Sequence, residues 1–302
     1  MATTTTLRQP ADIAERVTRN ASLDLVRRIL RVRLAPVAIG ILATFLLVAI
    51  FASFIQRYDP ITDQSYSEAN EGPSLAHWFG TDYLGRDMWS RMIHGSRISL
   101  FVGLISVSVG LTFGVTIGVT AGFAGGKLDS FLMRITEAIW TFPALMLALA
   151  ITSVLGRGLV PSMVAIGIVG IPYFARLARA STLSARELDY VLAARALGAP
   201  TQRILRRHIL PNIAAPLIVQ ASLGLGTAII TEASLSFLGV GVQAPTPSWG
   251  LELRTGYQYL ELNPAVAIFP GLAIFLTVLA FNFLGDALRT ALDPRLAKRG
   301  GD

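Results

Sequence analysis

Residues 98–126 read ISLFVGLISVSVGLTFGVTIGVTAGFAGG, a run of 29 residues without Asp, Glu, Lys or Arg. About 20 apolar residues in a helix are enough to cross the hydrocarbon core of a bilayer, so this run predicts a membrane span. Five further uncharged windows repeat the pattern, at residues 34–56, 138–156, 158–175, 209–231 and 262–285. The sequence therefore predicts an all-α, polytopic membrane protein with six transmembrane helices.

The composition of the whole chain supports this class. Of its 302 residues, 53% are hydrophobic and only 15% are charged, whereas a soluble domain carries about 25% charged residues. The net charge of +7 is compatible with nucleic-acid binding in a soluble protein. Here the basic residues cluster beside the apolar windows, so we expect membrane lipid and no nucleic acid as a partner. The chain has no Cys, which excludes disulfides and Cys-ligated metals.

The arginines and lysines also predict the orientation. With the N-terminus inside, 20 of the 26 cations fall in cytoplasmic segments and six in external ones, as the positive-inside rule requires. We therefore expect a multi-pass protein of the bacterial plasma (inner) membrane with both termini in the cytoplasm. Six acidic residues fall in the first external loop: Asp59, Asp63, Glu68, Glu71, Asp82 and Asp87.

These patterns divide the chain into four parts. Residues 1–33 form a basic cytoplasmic tail. Two interpretations of this tail remain open: a helix on the membrane surface that begins at about Ala21, and a solvated segment. Residues 34–97 hold the first span and the external loop, 98–290 form a core of five spans with a cytoplasmic loop at 178–210, and 291–302 form a cytoplasmic tail. Residues 233–251 are expected to be a loop with at most a short re-entrant helix.

Four glycines, Gly110, Gly114, Gly118 and Gly122, recur at every fourth position of the second span. This spacing predicts close packing against another helix, which belongs either to the same chain or to a second subunit. In the latter case the chain would be unstable without that subunit.

The sequence lacks the residues that its own catalysis would need. Gly125-Gly126-Lys127 is followed by Leu128 instead of Ser or Thr, so it is not a phosphate-binding loop. His77, His94 and His208 lack metal-ligand spacing, and no catalytic pair of an intramembrane protease is evident. We expect no catalytic residue, no metal and no cofactor in this chain, so that transport energy comes from a partner.

The cytoplasmic loop predicts two short helices joined at Gly198-Ala199-Pro200. Gly198 suits the left-handed C′ position after the first helix, and Pro200 suits the start of the second. Both helices are amphipathic, so the pair is suited to lie on lipid or to dock in a groove of a partner protein.

The run from Leu192 to Gly198, followed by Ile209-Leu210-Pro211, resembles the "EAA" loop of bacterial ATP-binding-cassette (ABC) importer permeases. Leu192 stands where that family has its glutamate, and His208 where it has an isoleucine. The resemblance implies a coupling element that seats in an ATPase subunit. Its candidate residues are Leu192, Ala193, Ala194, Arg195, Gly198, Ile209, Leu210 and Pro211.

Five further stretches are similar to the DppC/OppC-type permeases of dipeptide, oligopeptide and nickel importers. They lie at residues 79–82, 84–87, 232–239, 245–250 and 292–295. The resemblance implies the type I ABC importer permease (MetI-like) fold. It also implies a heterodimer with a second homologous permease, two cytoplasmic ATPase subunits that bind ATP and magnesium, and an extracytoplasmic solute-binding protein.

The predicted function is to form half of a translocation path for dipeptides or oligopeptides. An importer of nickel or another small solute, a membrane-embedded enzyme and a non-transporting scaffold are the alternatives. Candidate path-lining residues are Ser222, Gly226, Thr227 and Thr231, for which helix packing is the other interpretation. Asp82, Arg86 and Asp87 are candidate contacts for the binding protein, unless they cap and pair within the external loop.

Overall fold

The computed structural model describes residues 26–292, and these residues contain helices and loops but no β-strand. Residues 26–31 are helical, whereas residues 21–25 of the predicted tail helix lie outside the described residues. The helices that follow are α1 (Ala35–Ile55), α2 (Met88–Ala124), α3 (Gly126–Thr141), α4 (Ala144–Leu155), α5 (Leu159–Ala185), α6 (Asp189–Ala196), α7 (Thr201–Ile204), α8 (Leu210–Phe237), α9 (Trp249–Gln258) and α10 (Ala265–Leu292).

Among the described residues, five helices are long and apolar enough to cross a membrane: α1, α2, α5, the continuous stretch Thr201–Phe237, and α10. The sixth predicted span is the pair α3 and α4, which meet at an angle of 92°. The all-α fold is therefore confirmed, with six spans when this bent pair is taken as one. The bend follows from Pro143, which has no backbone N–H and holds Phe142 in an extended conformation.

The second span begins earlier than the uncharged window suggests. Asp87 caps the N-terminus of α2 by accepting a hydrogen bond from the Ser90 N–H at 2.8 Å. The first turns of α2 include Arg91 and Arg97, and both guanidinium groups have partners inside the protein. Since its charges are satisfied, the helix extends ten residues beyond the uncharged window.

The four glycines of α2 pack against α5 of the same chain. A Cβ atom built on Gly114 would lie 2.6 Å from the Cβ of Phe174, and one on Gly122 would lie 2.9 Å from the carbonyl oxygen of Arg179. The glycine face therefore packs α2 against α5 within this chain. It does not by itself require a helix from a second subunit.

Two loop segments, 57–87 and 239–264, fold over the same end of the bundle. Asn263 joins them, because its amide donates to the carbonyl oxygens of Glu71 at 2.6 Å and Thr81 at 3.3 Å. We name this the external end after the predicted topology. The loop that contains α6 and α7 lies at the other end, between α5 and α8.

Candidate functional site

The loop between α5 and α8 has the two-helix form that the sequence predicts. Gly198 has φ of +77°, and it follows the last turn of α6 at the C′ position. The Gly198 N–H donates to the Arg195 carbonyl at 3.0 Å, and the Ala199 N–H donates to the Ala194 carbonyl at 3.1 Å. These two bonds complete a Schellman motif, so the predicted left-handed turn at Gly198 is confirmed.

One side of this loop is anchored and the other is open. Val191, Ile204 and Ile209 are buried in the main hydrophobic core, while Leu192 is exposed and Leu197, at the tip, is 88% exposed. The remaining coupling candidates line the loop: Ala193, Arg195, Leu210 and Pro211 are exposed, and Ala194 is half-buried.

A polar contact adds to the anchoring of α6. The side-chain amide of Asn212, in the first turn of α8, donates to the Tyr190 hydroxyl and to the His208 carbonyl. The apolar tip of the loop, at Leu197, is therefore exposed, while the base of the loop is held against the core.

Two polar side chains that have no hydrogen-bond partner among residues 26–292 line a central cavity of about 170 Å³. This cavity lies between α2, α4, α5 and α8, and most of its lining is apolar. Tyr173 of α5 and Gln220 of α8 line it, and neither side chain makes a hydrogen bond within residues 26–292. Thr227 and Thr231 line the same cavity.

The four path candidates from the sequence lie on two different faces of α8. Thr227 and Thr231 face the cavity, one turn apart. Ser222 instead donates to the Phe281 carbonyl at 3.2 Å, and a Cβ atom built on Gly226 would lie 3.6 Å from Val278 and Phe281 of α10. The structure thus places the second pair against α10.

Sequence reasoning missed Tyr173 and Gln220. A signal was present for Gln220, since positions 220, 224, 227 and 231 share one helical face. Tyr173 could not be identified in this way, because only the packing of α5 against α8 brings it to the cavity.

The three external candidates are buried and have partners within the chain. The Asp82 carboxylate accepts from Nε of Arg86 at 2.7 Å and from the backbone N–H groups of Leu84 and Arg86. Asp87 caps α2 and also lies 2.9 Å from Nδ1 of His77. The structure therefore shows the capping and pairing arrangement for these residues.

A buried arginine that the sequence did not single out connects the external segments. Arg91 of α2 donates to both carboxylate oxygens of Glu252 in α9, at 3.1 and 2.7 Å. It also donates to the Pro60 carbonyl at 2.6 Å, and the Asp82 carboxylate lies 3.8 Å away. Arg91 and Glu252 are each 1% exposed, so one guanidinium fixes loop 57–87 and α9 to the end of α2.

A second buried carboxylate secures the loop that follows α8. Glu232 accepts from the Ser236 hydroxyl at 2.8 Å and from the Ser99 hydroxyl at 3.4 Å. The Ser236 hydroxyl also accepts a hydrogen bond from the backbone N–H of Val242, and the Ser99 hydroxyl accepts one from the backbone N–H of Trp249. Within residues 26–292, no group of three or more His, Cys, Asp or Glu residues is placed to hold a metal ion.

Two family models match the chain. Residues 114–298 match the binding-protein-dependent transport system inner membrane component, and residues 23–73 match the N-terminal transmembrane domain of oligopeptide transport permease C.

The chain has close relatives among known proteins. It is 46% identical over 285 residues to the glutathione transport system permease protein GsiD of Pectobacterium atrosepticum, covering 94% of each chain. It is 44% identical over 269 residues to the dipeptide transport system permease protein DppC of Alkalihalophilus pseudofirmus, covering 87% of this chain and 86% of the relative.

The fold also matches a solved transporter structure. An inward-facing structure of the MetNI methionine ABC transporter is similar with a TM-score of 0.57 and 22% identity, over 68% of this chain and 98% of that one. An amino acid ABC transporter with histidines gives a TM-score of 0.50 at 20% identity, over 68% of this chain and 94% of that one.

The apolar spans, the two-helix loop and these matches define a membrane permease of an ABC importer. The chain belongs to the family of inner membrane components of binding-protein-dependent transport systems.

Proposed function

We propose that this chain forms half of the translocation path of an ABC importer for dipeptides or oligopeptides. The observation that carries the proposal is the central cavity, where the side chains of Tyr173 and Gln220 have no hydrogen-bond partner among residues 26–292 and face a mostly apolar space. Such a lining offers hydrogen bonds to a peptide backbone without the tight binding that would prevent release. The names of the glutathione and dipeptide relatives support the same solute class.

The other half of the path belongs to a second homologous permease in this proposal. The external faces of both permeases meet an extracytoplasmic solute-binding protein, and both termini lie in the cytoplasm of a bacterium. The 20 cations assigned to the cytoplasmic side support this orientation. Asp82, Arg86 and Asp87 then act by shaping the external segment, since their side chains are buried.

Energy comes from two ATPase subunits that bind ATP and magnesium, and this chain itself catalyses nothing. The open side of α6, with Leu192 and Arg195, docks together with Leu197 at the tip of the loop in a groove of one ATPase. Because Val191, Ile204 and Ile209 anchor the loop in the core, a movement of the ATPase is transmitted to α5 and α8, whose side chains line the cavity.

The test is uptake of L-alanyl-L-alanine by the complete complex in proteoliposomes, with ATP inside and the binding protein outside. Replacing Gln220 by Leu removes one hydrogen bond to the solute, which corresponds to about a fivefold loss of uptake rate. Thr116→Val is the matched control, because Thr116 is exposed on α2 and bonds only its own helix. Equal uptake by Gln220→Leu and the control would contradict the proposed path.

The solute class has its own test at the binding protein. We expect it to bind L-alanyl-L-alanine or glutathione and not nickel ions. Saturable nickel binding without peptide binding would assign the complex to the metal importers of the same subfamily instead.

A further inference from the structure

A second cavity, of about 270 Å³, lies between α3 and α5 on the side away from the external segments. Four side chains line it: Met133 and Glu137 from α3, and Arg176 and Arg179 from α5. The walls therefore carry one carboxylate and two guanidinium groups. This differs from the central cavity, which no charged side chain lines.

The charges in this cavity are not equivalent. Arg179 is engaged, because it donates two hydrogen bonds of 2.6 Å to the Asp129 carboxylate. Arg176 makes no ion pair with any described residue, and its guanidinium lies 4.4 Å from the ring centre of Trp140. Glu137 likewise has no cation within 4.0 Å among residues 26–292. Among residues 26–292, Arg176 and Glu137 thus form no salt bridge, although they lie on opposite walls of the same cavity.

The two cavities follow one another along α5. Tyr173 lines the central cavity, and Arg176, three residues later on the same helical face, lines the second. The Trp140 ring lies between them, with its centre 4.2 Å from that of Tyr173. Trp140 is close to the bend between α3 and α4, so this aromatic contact lies at the break in the third span.

We propose that the second cavity is a binding site for a small zwitterionic peptide on its way out of the central cavity. Arg176 receives the peptide carboxylate and Glu137 receives its ammonium group. This inference rests on the proposed function, since it takes the solute to be a peptide that leaves through the cytoplasmic end. A ligand with only negative charge is repelled by Glu137, and one with only positive charge is repelled by the arginines.

The size and exposure of the site agree with this role. Its volume is near the lower end of the roughly 300–1,000 Å³ of small-molecule sites, which suits a dipeptide. Arg176 and Glu137 are exposed, so water competes for both charges. The site therefore holds a peptide weakly, as an exit position must.

The experiment is calorimetric titration of the permease–ATPase complex in phosphatidylcholine nanodiscs, without binding protein or ATP. The probes are L-alanyl-L-alanine and its C-terminal amide, which lacks the carboxylate. We expect the wild-type complex to bind the acid about tenfold more tightly than the amide, because a charge-assisted hydrogen bond is lost. Absence of saturable binding, or equal binding of acid and amide, would overturn the proposal.

Substitutions assign the binding to this cavity. Arg176→Gln is expected to weaken binding of the acid about tenfold and to abolish the preference over the amide. Arg176→Lys retains the charge and most of the preference. Arg134→Gln is the matched control, since Arg134 is an exposed arginine of α3 that does not line the cavity. If Arg176→Gln does not assemble, Arg176→Lys still tests the location, and equal binding of acid and amide by the wild type would still overturn the proposal.

Two further measurements complete the experiment. The first distinguishes a peptide from a lipid as the ligand of this cavity, and the second distinguishes failure of the exit site from failure of the whole translocation path. Nanodiscs that contain phosphatidylglycerol test whether a lipid phosphate occupies the site, and loss of peptide binding in them would assign the cavity to lipid and overturn the proposal. Uptake of L-alanyl-L-alanine by the wild-type complex is measured in parallel. Uptake without binding at this cavity rejects only the exit site, whereas the absence of any peptide uptake rejects the proposed function.

Discussion

Gly118 of α2 lies directly against the backbone of Ala175 in α5, so closely that a methyl group on Gly118 would overlap the Ala175 carbonyl oxygen. The obstacle is backbone on a packed helix, which cannot rotate away as a side chain can. A β-carbon at this position therefore forces the two central helices apart.

Gly118→Val is expected to destabilise the protein by about 2 kcal/mol or more, through overpacking at this contact. The measurement is the thermal unfolding midpoint of the purified complex. Gly40→Val is the matched control, because a Cβ on Gly40 in α1 meets nothing within 4 Å. An unchanged midpoint for Gly118→Val would mean that α2 and α5 do not pack as described.

Removal of the Arg91 guanidinium leaves the Glu252 carboxylate buried without its cation. Arg91→Gln is therefore expected to cost about 3–5 kcal/mol of stability. The double variant Arg91→Gln/Glu252→Gln is expected to lose less than the sum of the single losses, since the unpaired charge is gone. Arg157→Gln, at an exposed arginine, is the control. Additive losses in the double variant would show that the two groups do not interact.

Gly198→Val tests the coupling loop. Its φ of +77° is costly for a β-branched residue by roughly 1 kcal/mol or more, which is too little to prevent membrane insertion. We expect normal expression, with ATP hydrolysis uncoupled from uptake or the ATPase subunits lost on purification.

The control for Gly198→Val is Gly126→Val, because Gly126 also has a positive φ, of +58°, and open space around it. The assays are solute uptake and ATPase co-purification. Full uptake with Gly198→Val would make the loop a passive connection.

Leu192→Glu places the family glutamate in the loop. Leu192 is 42% exposed, so a carboxylate there stays in water and the core is undisturbed. We expect uptake and ATPase co-purification to remain near the wild-type level. Loss of the ATPases from this variant would show that the groove of the partner requires an apolar residue at this position.

The orientation is tested with single cysteines, which are unambiguous because the native chain has none. Glu71 and Arg195 are both exposed, so either position is accessible to a reagent on its own side of the membrane. An impermeant maleimide added to intact cells is expected to label Glu71→Cys and not Arg195→Cys. The reverse pattern would invert the topology.

Much of the architecture could be predicted because it depends on local rules. The uncharged windows predict the spans, and Gly198 followed by Pro200 predicts the turn between α6 and α7. The 92° bend at Pro143 was not predicted, although a proline inside an uncharged window was a signal for it. Hydropathy averages over the window and does not register a single missing N–H.

The site was less predictable because it depends on tertiary contacts. Polarity predicts a path-lining role for both Thr227 and Ser222, but only Thr227 faces the central cavity, whereas Ser222 bonds α10. In the sequence Arg91 is one of several external cations, and nothing in its neighbours reveals that it is buried. Its ion-pair partner lies 161 residues further along the chain, beyond the range of any local pattern.

That separation also sets an order of events during synthesis. Ribosomes add about 5–20 residues per second, so the side chain of Arg91 leaves the ribosome roughly 8–30 s before Glu252 does. In that interval α2 has to enter the membrane with its arginine still hydrated at the surface. The external segments can close over it only when α9 has been made, so this end of the molecule is completed only after α8 has been synthesised.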